Sequence, residues 1–187
     1  MPLTQIDATA ALLVIDLQKG IVSVPLAHPA ADIVERSAQL VRAFRQHHLP
    51  VVLINVTGRP TGRTDVKGPS FTPSPDWAEL DPRLEPQPDD ILLSKQSPGA
   101  FLGTTLHEQL QQRGITQVFL TGIATTAGVE STARSAFDLG YNVVFVTDAI
   151  TDRDPEAHLY YLQKVFPRRG ETATTQNVLD HLAAARA

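Results

Sequence analysis

Three short stretches of this 187-residue chain hold residue types that can do chemistry. Asp16 stands where the apolar run Ala11-Leu12-Leu13-Val14-Ile15 ends, and Lys95 stands just past Ile91-Leu92-Leu93. The third is a turn of very small residues, Gly122-Ile123-Ala124-Thr125-Thr126-Ala127-Gly128, between Val118-Phe119-Leu120-Thr121 and a helical pattern. An aspartate at a strand end often only caps a loop, and a lone lysine is often only solvated. Together with a helix entrance they make an acid/base group, its charge partner and a cradle for developing negative charge. A helix start presents unpaired N–H groups and a partial positive charge, and small side chains let a ligand approach them.

Each of these stretches is placed by an element that the pattern predicts. The runs at 11–15, at Val51 to Asn55, at 91–93, at 118–121 and at Val143 to Val146 read as strands, the first of them buried on both faces. Apolar positions Ile33, Ser37, Leu40, Val41 and Phe44 recur at helical spacing from about Ala30 until Leu49-Pro50 stops them. Thr105-x-x-Glu108 has the form of a capping box, and Gly114 closes that helix. Val129, Thr132/Ala133 and Ala136/Phe137 share a helix face that Gly140 ends. Asp154-Pro155 reads as an N-cap with proline at the first helical position, opening a helix to about Phe166. A short strand at Thr172-Ala173 and a helix from Gln176 finish the chain. Strands alternating with helices predict an α/β fold, a parallel sheet covered on both faces, in a single domain over residues 1–187. Ligands of such sheets sit at the carboxyl ends of the strands, where Asp16, Lys95 and the small-residue turn all fall.

Between Gly58 and Asp90 no such pattern holds, and half of the chain's 14 prolines lie there. A connection of that length is usually a lid, a binding loop or an oligomer contact. Phe71 and Trp77 within it either anchor the loop or contribute to a pocket, as does Gln18 after the first strand. Arg59 and Arg63 at its start are able to hold an anionic group.

Composition narrows the classes further. A formal net charge of −4 offers no basic field for nucleic acid, and no run of Lys and Arg interleaves with aromatics. The apolar stretch from Ala8 to Ile15 is too short for a membrane span and lacks a basic leader, so the default expectation is cytoplasmic. With no cysteine there is no thiolate nucleophile, and the 6 histidines show no ligand spacing. No metal or cofactor is expected.

The segments LLVIDLQKG, LLSKQSPGAFLGTTL and TGIATTAGVESTARSAFDLGYNVVFVTDA resemble, in order, the three signature regions of the isochorismatase-like hydrolases, also called the cysteine hydrolase family. The resemblance spans Leu12 to Ala149. It implies a Rossmann-like three-layer α/β/α fold with a six-stranded, mostly parallel sheet, and a homodimer or homotetramer. It also implies catalytic roles for Asp16 and Lys95. The family pattern reads Gly-Ile-Ala-Thr-Asp-Val-Cys-Val, so the nucleophilic cysteine falls at Gly128 and its neighbouring aspartate at Thr126. A cis peptide in the family's turn maps to Ile123-Ala124-Thr125, where N–H groups of Ala124, Thr125 and Ala127 would form the oxyanion hole. The isochorismatases proper resemble this chain in carrying glycine at the cysteine position. They hydrolyse a vinyl ether without a covalent intermediate, the aspartate protonating the enol carbon and water attacking the resulting cation. Their aromatic residue and histidine before the glycine are replaced here by Ala124-Thr125-Thr126, so a different substrate is expected. The family's metal-binding branch uses an aspartate and histidines after the second strand, which Asn55-Val56-Thr57-Gly58-Arg59 lacks.

The expectation is therefore a hydrolase acting on a small anionic molecule, with Asp16 as general acid or base, Lys95 as charge partner and the turn from Thr125 to Gly128 as anion cradle. Burial raises the pKa of such an aspartate and the lysine lowers it, and the sequence leaves open which wins. A hydroxyl of Thr125, Thr126 or Ser131 would need a base within hydrogen-bond reach to replace the thiol. The other expectation is a degenerate member that binds a metabolite or partner protein without turnover.

Overall fold

The computed structural model describes residues 3–65 and 73–184. Six strands, β1 (Ala10–Ile15), β2 (Val51–Val56), β3 (Ile91–Lys95), β4 (Gln117–Ile123), β5 (Asn142–Thr151) and β6 (Glu171–Ala173), form one sheet in the order β3-β2-β1-β4-β5-β6. Every neighbouring pair is parallel. The helices are α1 (Lys19–Val22), α2 (Ala30–Gln46), α3 (Leu106–Gln112), α4 (Glu130–Asp138), α5 (Pro155–Tyr160) and α6 (Thr175–Ala184).

The continuous apolar run of β1 predicted burial on both faces, and all six of its residues are buried, whereas β3 at the sheet edge exposes Leu92 and Ser94. On one face α2 and α6 bring Ile33, Val41, Phe44, Val178 and Leu182 against Leu12, Val14 and Phe119. On the other, α3 and α4 bring Leu106, Leu110, Ala133 and Ala136 against Leu13, Ile15 and Leu120. This is the three-layer α/β/α arrangement. Burying each large aliphatic or aromatic side chain contributes roughly 1.5–3 kcal/mol, which makes the sheet a rigid platform for its strand ends. Strand order reverses at β1, flanked by β2 and β4, and that switch point opens the ligand crevice in sheets of this kind.

Several local expectations shift. Lys95 is the last residue of β3 rather than the residue after it, and Gly122 lies inside β4, with β5 running on to Thr151. The capping box at Thr105 does not form, because its side chain caps no backbone N–H. The Thr104 hydroxyl accepts from Leu106 N at 3.2 Å instead. Asp154 does cap α5, accepting from Glu156 N and Ala157 N, but the α-helix ends at Tyr160 and continues as a wider turn over Tyr161–Val165. The long connection has a short helical turn at Pro82–Leu84 and an isolated bridge between Gln18 and Leu80.

Candidate active site

Asp16 follows the last residue of β1 with φ at 54°, in the left-handed region that aspartate tolerates better than most residues. Its N–H stays in the sheet, bonded to Ile54 O at 2.9 Å. The turned backbone interrupts the strand's alternation, and the carboxylate meets a cation. Lys95 comes from β3, whose inward residues are Ile91, Leu93 and Lys95. Lys95 Nζ donates to Asp16 Oδ2 at 2.8 Å and to Ser97 O at 3.1 Å. Both residues are buried, at 6% and 2% exposure.

Burial wins over the lysine. It pushes the Asp16 carboxyl up to about 6, against the attraction of Lys95 and its hydrogen bond. Asp16 Oδ1 is buried and has no hydrogen-bond partner among the described residues. A buried carboxylate oxygen left free beside a cation is unusual, and its spare lone pairs are what a proton-transfer group needs.

The turn after β4 completes the site. The Ile123-Ala124 peptide is cis, and residues Thr125–Val129 form a wide helical turn that runs into α4. Gly128 faces Asp16 directly: a Cβ there would stand 3.0 Å from Asp16 Oδ2 and 3.0 Å from Ile15 Cγ2. The position of the family's cysteine is therefore in contact with the carboxylate. Not every N–H of the expected cradle is free. Thr126 N donates to Asp152 Oδ2 at 2.7 Å, and Ala127 N to Ala124 O at 3.0 Å. Among the described residues, Thr125 N and Gly128 N have no acceptor outside the turn itself.

These groups line one cavity of about 380 Å³ that contains Asp16, Lys95, Ala124, Thr126, Ala127 and Gly128, together with Arg59, Asp152 and Arg153. Its size lies at the lower end of small-molecule sites, about 300–1,000 Å³. Thr125 is not in the lining: it is fully buried and its hydroxyl pairs with His158 Nδ1 at 2.7 Å. Burial and the neighbouring His28 hold the His158 imidazole below its ordinary pKa. A base thus stands within reach of the Thr125 hydroxyl, but the pair is sealed from the cavity. Ser131 is also outside the lining, its backbone packed on Gly99.

Gln18, fully buried, takes no part in the wall. Its amide accepts from Val56 N at 2.8 Å and donates to Val56 O and Trp77 O. Trp77 packs over Gly20 and lines a neighbouring cavity with Arg59, Val56 and Pro73. Phe71 lies outside the described residues. Among the described residues no group of three or more His, Cys, Asp or Glu could hold a metal ion, and no helix is long and apolar enough to cross a membrane.

Asp152, Arg153 and His158 were not singled out by sequence. Asp152 accepts from Thr126 N and Oγ1 through Oδ2, and from Arg153 N and Asp154 N through Oδ1. The one hint was an acidic residue at a strand's carboxyl end, as with Asp16, but β5 extends past its apolar run and concealed that end.

A carboxylate, an ammonium group and a turn at the switch point of a doubly wound sheet define the class of the protein. The isochorismatase domain model matches residues 10–177, and the chain belongs to the isochorismatase family. It is 40% identical over 179 residues to the isochorismatase family protein YwoC of Bacillus subtilis (strain 168), covering 92% of this chain and 93% of that one. It is 31% identical over 185 residues to the isochorismatase of the same organism, covering 95% of this chain and 59% of that protein. An isochorismatase family protein from Burkholderia thailandensis superposes with a TM-score of 0.91 at 40% identity, over 96% of this chain and 98% of that one. The structure has the fold of this family, and the family includes hydrolases.

Proposed function

We propose that the chain is a hydrolase that cleaves a small anionic molecule by acid catalysis, without a covalent intermediate. The observation that carries this is the buried Asp16 carboxyl, pushed up to about 6 and presenting an unpartnered Oδ1, against a residue with no side chain. At neutral pH a useful fraction of Asp16 holds its proton, as a general acid must. With glycine at 128 no thioester can form, so the bond broken is one that yields to protonation first. An enol ether fits: Asp16 gives its proton to the enol carbon and a cation forms next to the ether oxygen. Water adds to it and returns a proton to Asp16, and the adduct collapses to a ketone and an alcohol. Lys95 holds Asp16 Oδ2 and balances the charge left on the carboxylate, and Arg59 contacts the anionic group of the substrate. The N–H of Gly128, left without an acceptor outside the turn among the described residues, supports negative charge on the substrate. Like its implied relatives, the chain would work as a homodimer or homotetramer.

The test is a panel of enol ethers, amides and esters offered to the purified protein in H2O and D2O. Enol ethers should be cleaved, with one deuterium in the new methyl group of the ketone. Asp16→Asn should lose at least about 100-fold in kcat, the usual scale of a general acid's contribution. Full activity of that variant, or cleavage of amides alone, would refute the mechanism.

A further inference from the structure

Two consecutive residues of the turn after β4 are held from behind by one short segment of chain. Asp152, just past β5, accepts from both Thr126 N and Thr126 Oγ1, and the two bonds converge on a single oxygen, Oδ2. A grip that converges on one atom is a pivot. The second point is His158 in α5, whose Nδ1 meets the Thr125 hydroxyl at 2.7 Å. Thr125 is fully buried and His158 is 5% exposed, and among the described residues that hydroxyl has no other partner. The His158 backbone is fixed as well. Its N–H donates to Asp154 O at 3.0 Å, and Asp154 N donates back to Asp152 Oδ1 at 3.4 Å. The next two residues of the turn, Ala127 and Gly128, line the cavity.

The surroundings of the His158 ring favour the form that makes this bond. His28 stands edge-on to it with ring centres 5.0 Å apart, and the Nδ1 of His28 meets the hydroxyl of Thr151 at 2.9 Å. Burial and His28 hold the His158 imidazole below its ordinary pKa, and Asp152 acts in the opposite direction. A neutral imidazole keeps one acceptor nitrogen, and with Nδ1 in that role the Thr125 hydroxyl gives its one proton to the ring. An imidazolium is a donor at both nitrogens and would strand that proton in the interior.

We infer that His158 is a positioning residue of this site: its bond to Thr125 stops the turn from pivoting about Asp152 and so keeps Gly128 against Asp16. The effect reaches the chemistry because Gly128 lies close enough that a Cβ on it would stand 3.0 Å from Asp16 Oδ2, so the turn is part of what shields that carboxyl from water. The inference deepens the hydrolase proposal and rests on it for the reaction, but not for the hold on the turn.

The experiment needs no substrate. It follows the carboxyl carbon resonance of Asp16 and the amide resonance of Thr126 against pH in the labelled native protein and in four variants. His158→Leu and Thr125→Val remove the bond, whereas His158→Asn and Thr125→Ser keep a group able to make it. Thr125→Val conserves shape, so it carries the test where circular dichroism shows His158→Leu unfolded. Without the bond, water reaches the carboxylate, and the Asp16 midpoint should fall from its native value near 6 by about one pH unit. Combining His158→Leu with Thr125→Val should do no more than either alone, because both remove one contact. His158→Asn and Thr125→Ser should keep the native midpoint. The Thr126 amide should titrate in step with the His158 ring, below the ordinary histidine range, in the native protein and in Asp16→Asn, and should lose that titration in His158→Asn. An Asp16 midpoint unmoved in Thr125→Val, equal effects of His158→Leu and His158→Asn, or additive effects in the double variant would each overturn the inference. Failure of hydrolysis leaves these midpoints readable, and an unmoved midpoint leaves the catalytic role of Asp16 to its own test.

Discussion

Raising the pH should cost this protein stability through Asp16, opposite to what most aspartates do. An unfolded aspartate ionises near 3.8, whereas burial pushes Asp16 in the fold up to about 6. Each pKa unit is about 1.36 kcal/mol, so ionising Asp16 in place costs about 3 kcal/mol relative to ionising it in the unfolded chain. The folded carboxyl is raised, so its contribution is fully present below the unfolded value. It drains away as pH climbs toward about 6 and is gone above that. Urea unfolding of the native protein and of Asp16→Asn from acid to neutral pH isolates this, because the other groups largely cancel in the difference. Relative to the variant, the native protein should lose about 3 kcal/mol over that window. The carboxyl carbon resonance of Asp16 reads the same titration directly and should have its midpoint near 6. A midpoint below the unfolded value, or a stability difference that does not move with pH, would mean that Lys95 outweighs burial.

Turnover of any substrate found should follow the same proton, falling as pH rises through about 6, because the protonated carboxyl is the acid; a rate rising through that region would make Asp16 a base. Gly128→Ala puts a methyl 3.0 Å from both Asp16 Oδ2 and Ile15 Cγ2 and should cost about 1–2 kcal/mol in urea unfolding, where an open helical site would gain from alanine. Asp152→Ala strips partners from Thr126 N, Thr126 Oγ1 and Arg153 N and should cost about 2–4 kcal/mol, seen as a lowered Tm. Gly122→Ala should abolish folding, judged by soluble yield and circular dichroism, since its Cβ would fall 1.9 Å from Ile15 O at a φ of 115°.

Asp16, Lys95 and the turn were legible because each follows a continuous apolar run, and such runs mark strand ends in a parallel sheet. The placement of Lys95 across β2 from Asp16 follows from strand order, which the resemblance implied and local pattern alone does not give. The outcome of the contest over the Asp16 proton was not legible, since it depends on how completely Ile15, Gly128 and the turn enclose the carboxylate. Asp152 stayed hidden because its work is done on Thr126, 26 residues away, and nothing in its own neighbourhood records that distant donor. The apparent capping box at Thr105 failed for a local reason: the neighbouring Thr104 hydroxyl reaches the helix start first. Gln18, a pocket candidate after the first strand, has its amide spent on backbone, and its partners Val56 and Trp77 lie 38 and 59 residues away.

That amide has a mechanical consequence. Gln18 clamps both polar atoms of Val56 and the carbonyl of Trp77 with a single side chain. Val56 borders the Asp16 cavity and its neighbour alike, and Trp77 borders the neighbour. The two chambers therefore share a riveted partition, and a molecule wide enough to spread one must break a fully enclosed amide bridge or deform the other.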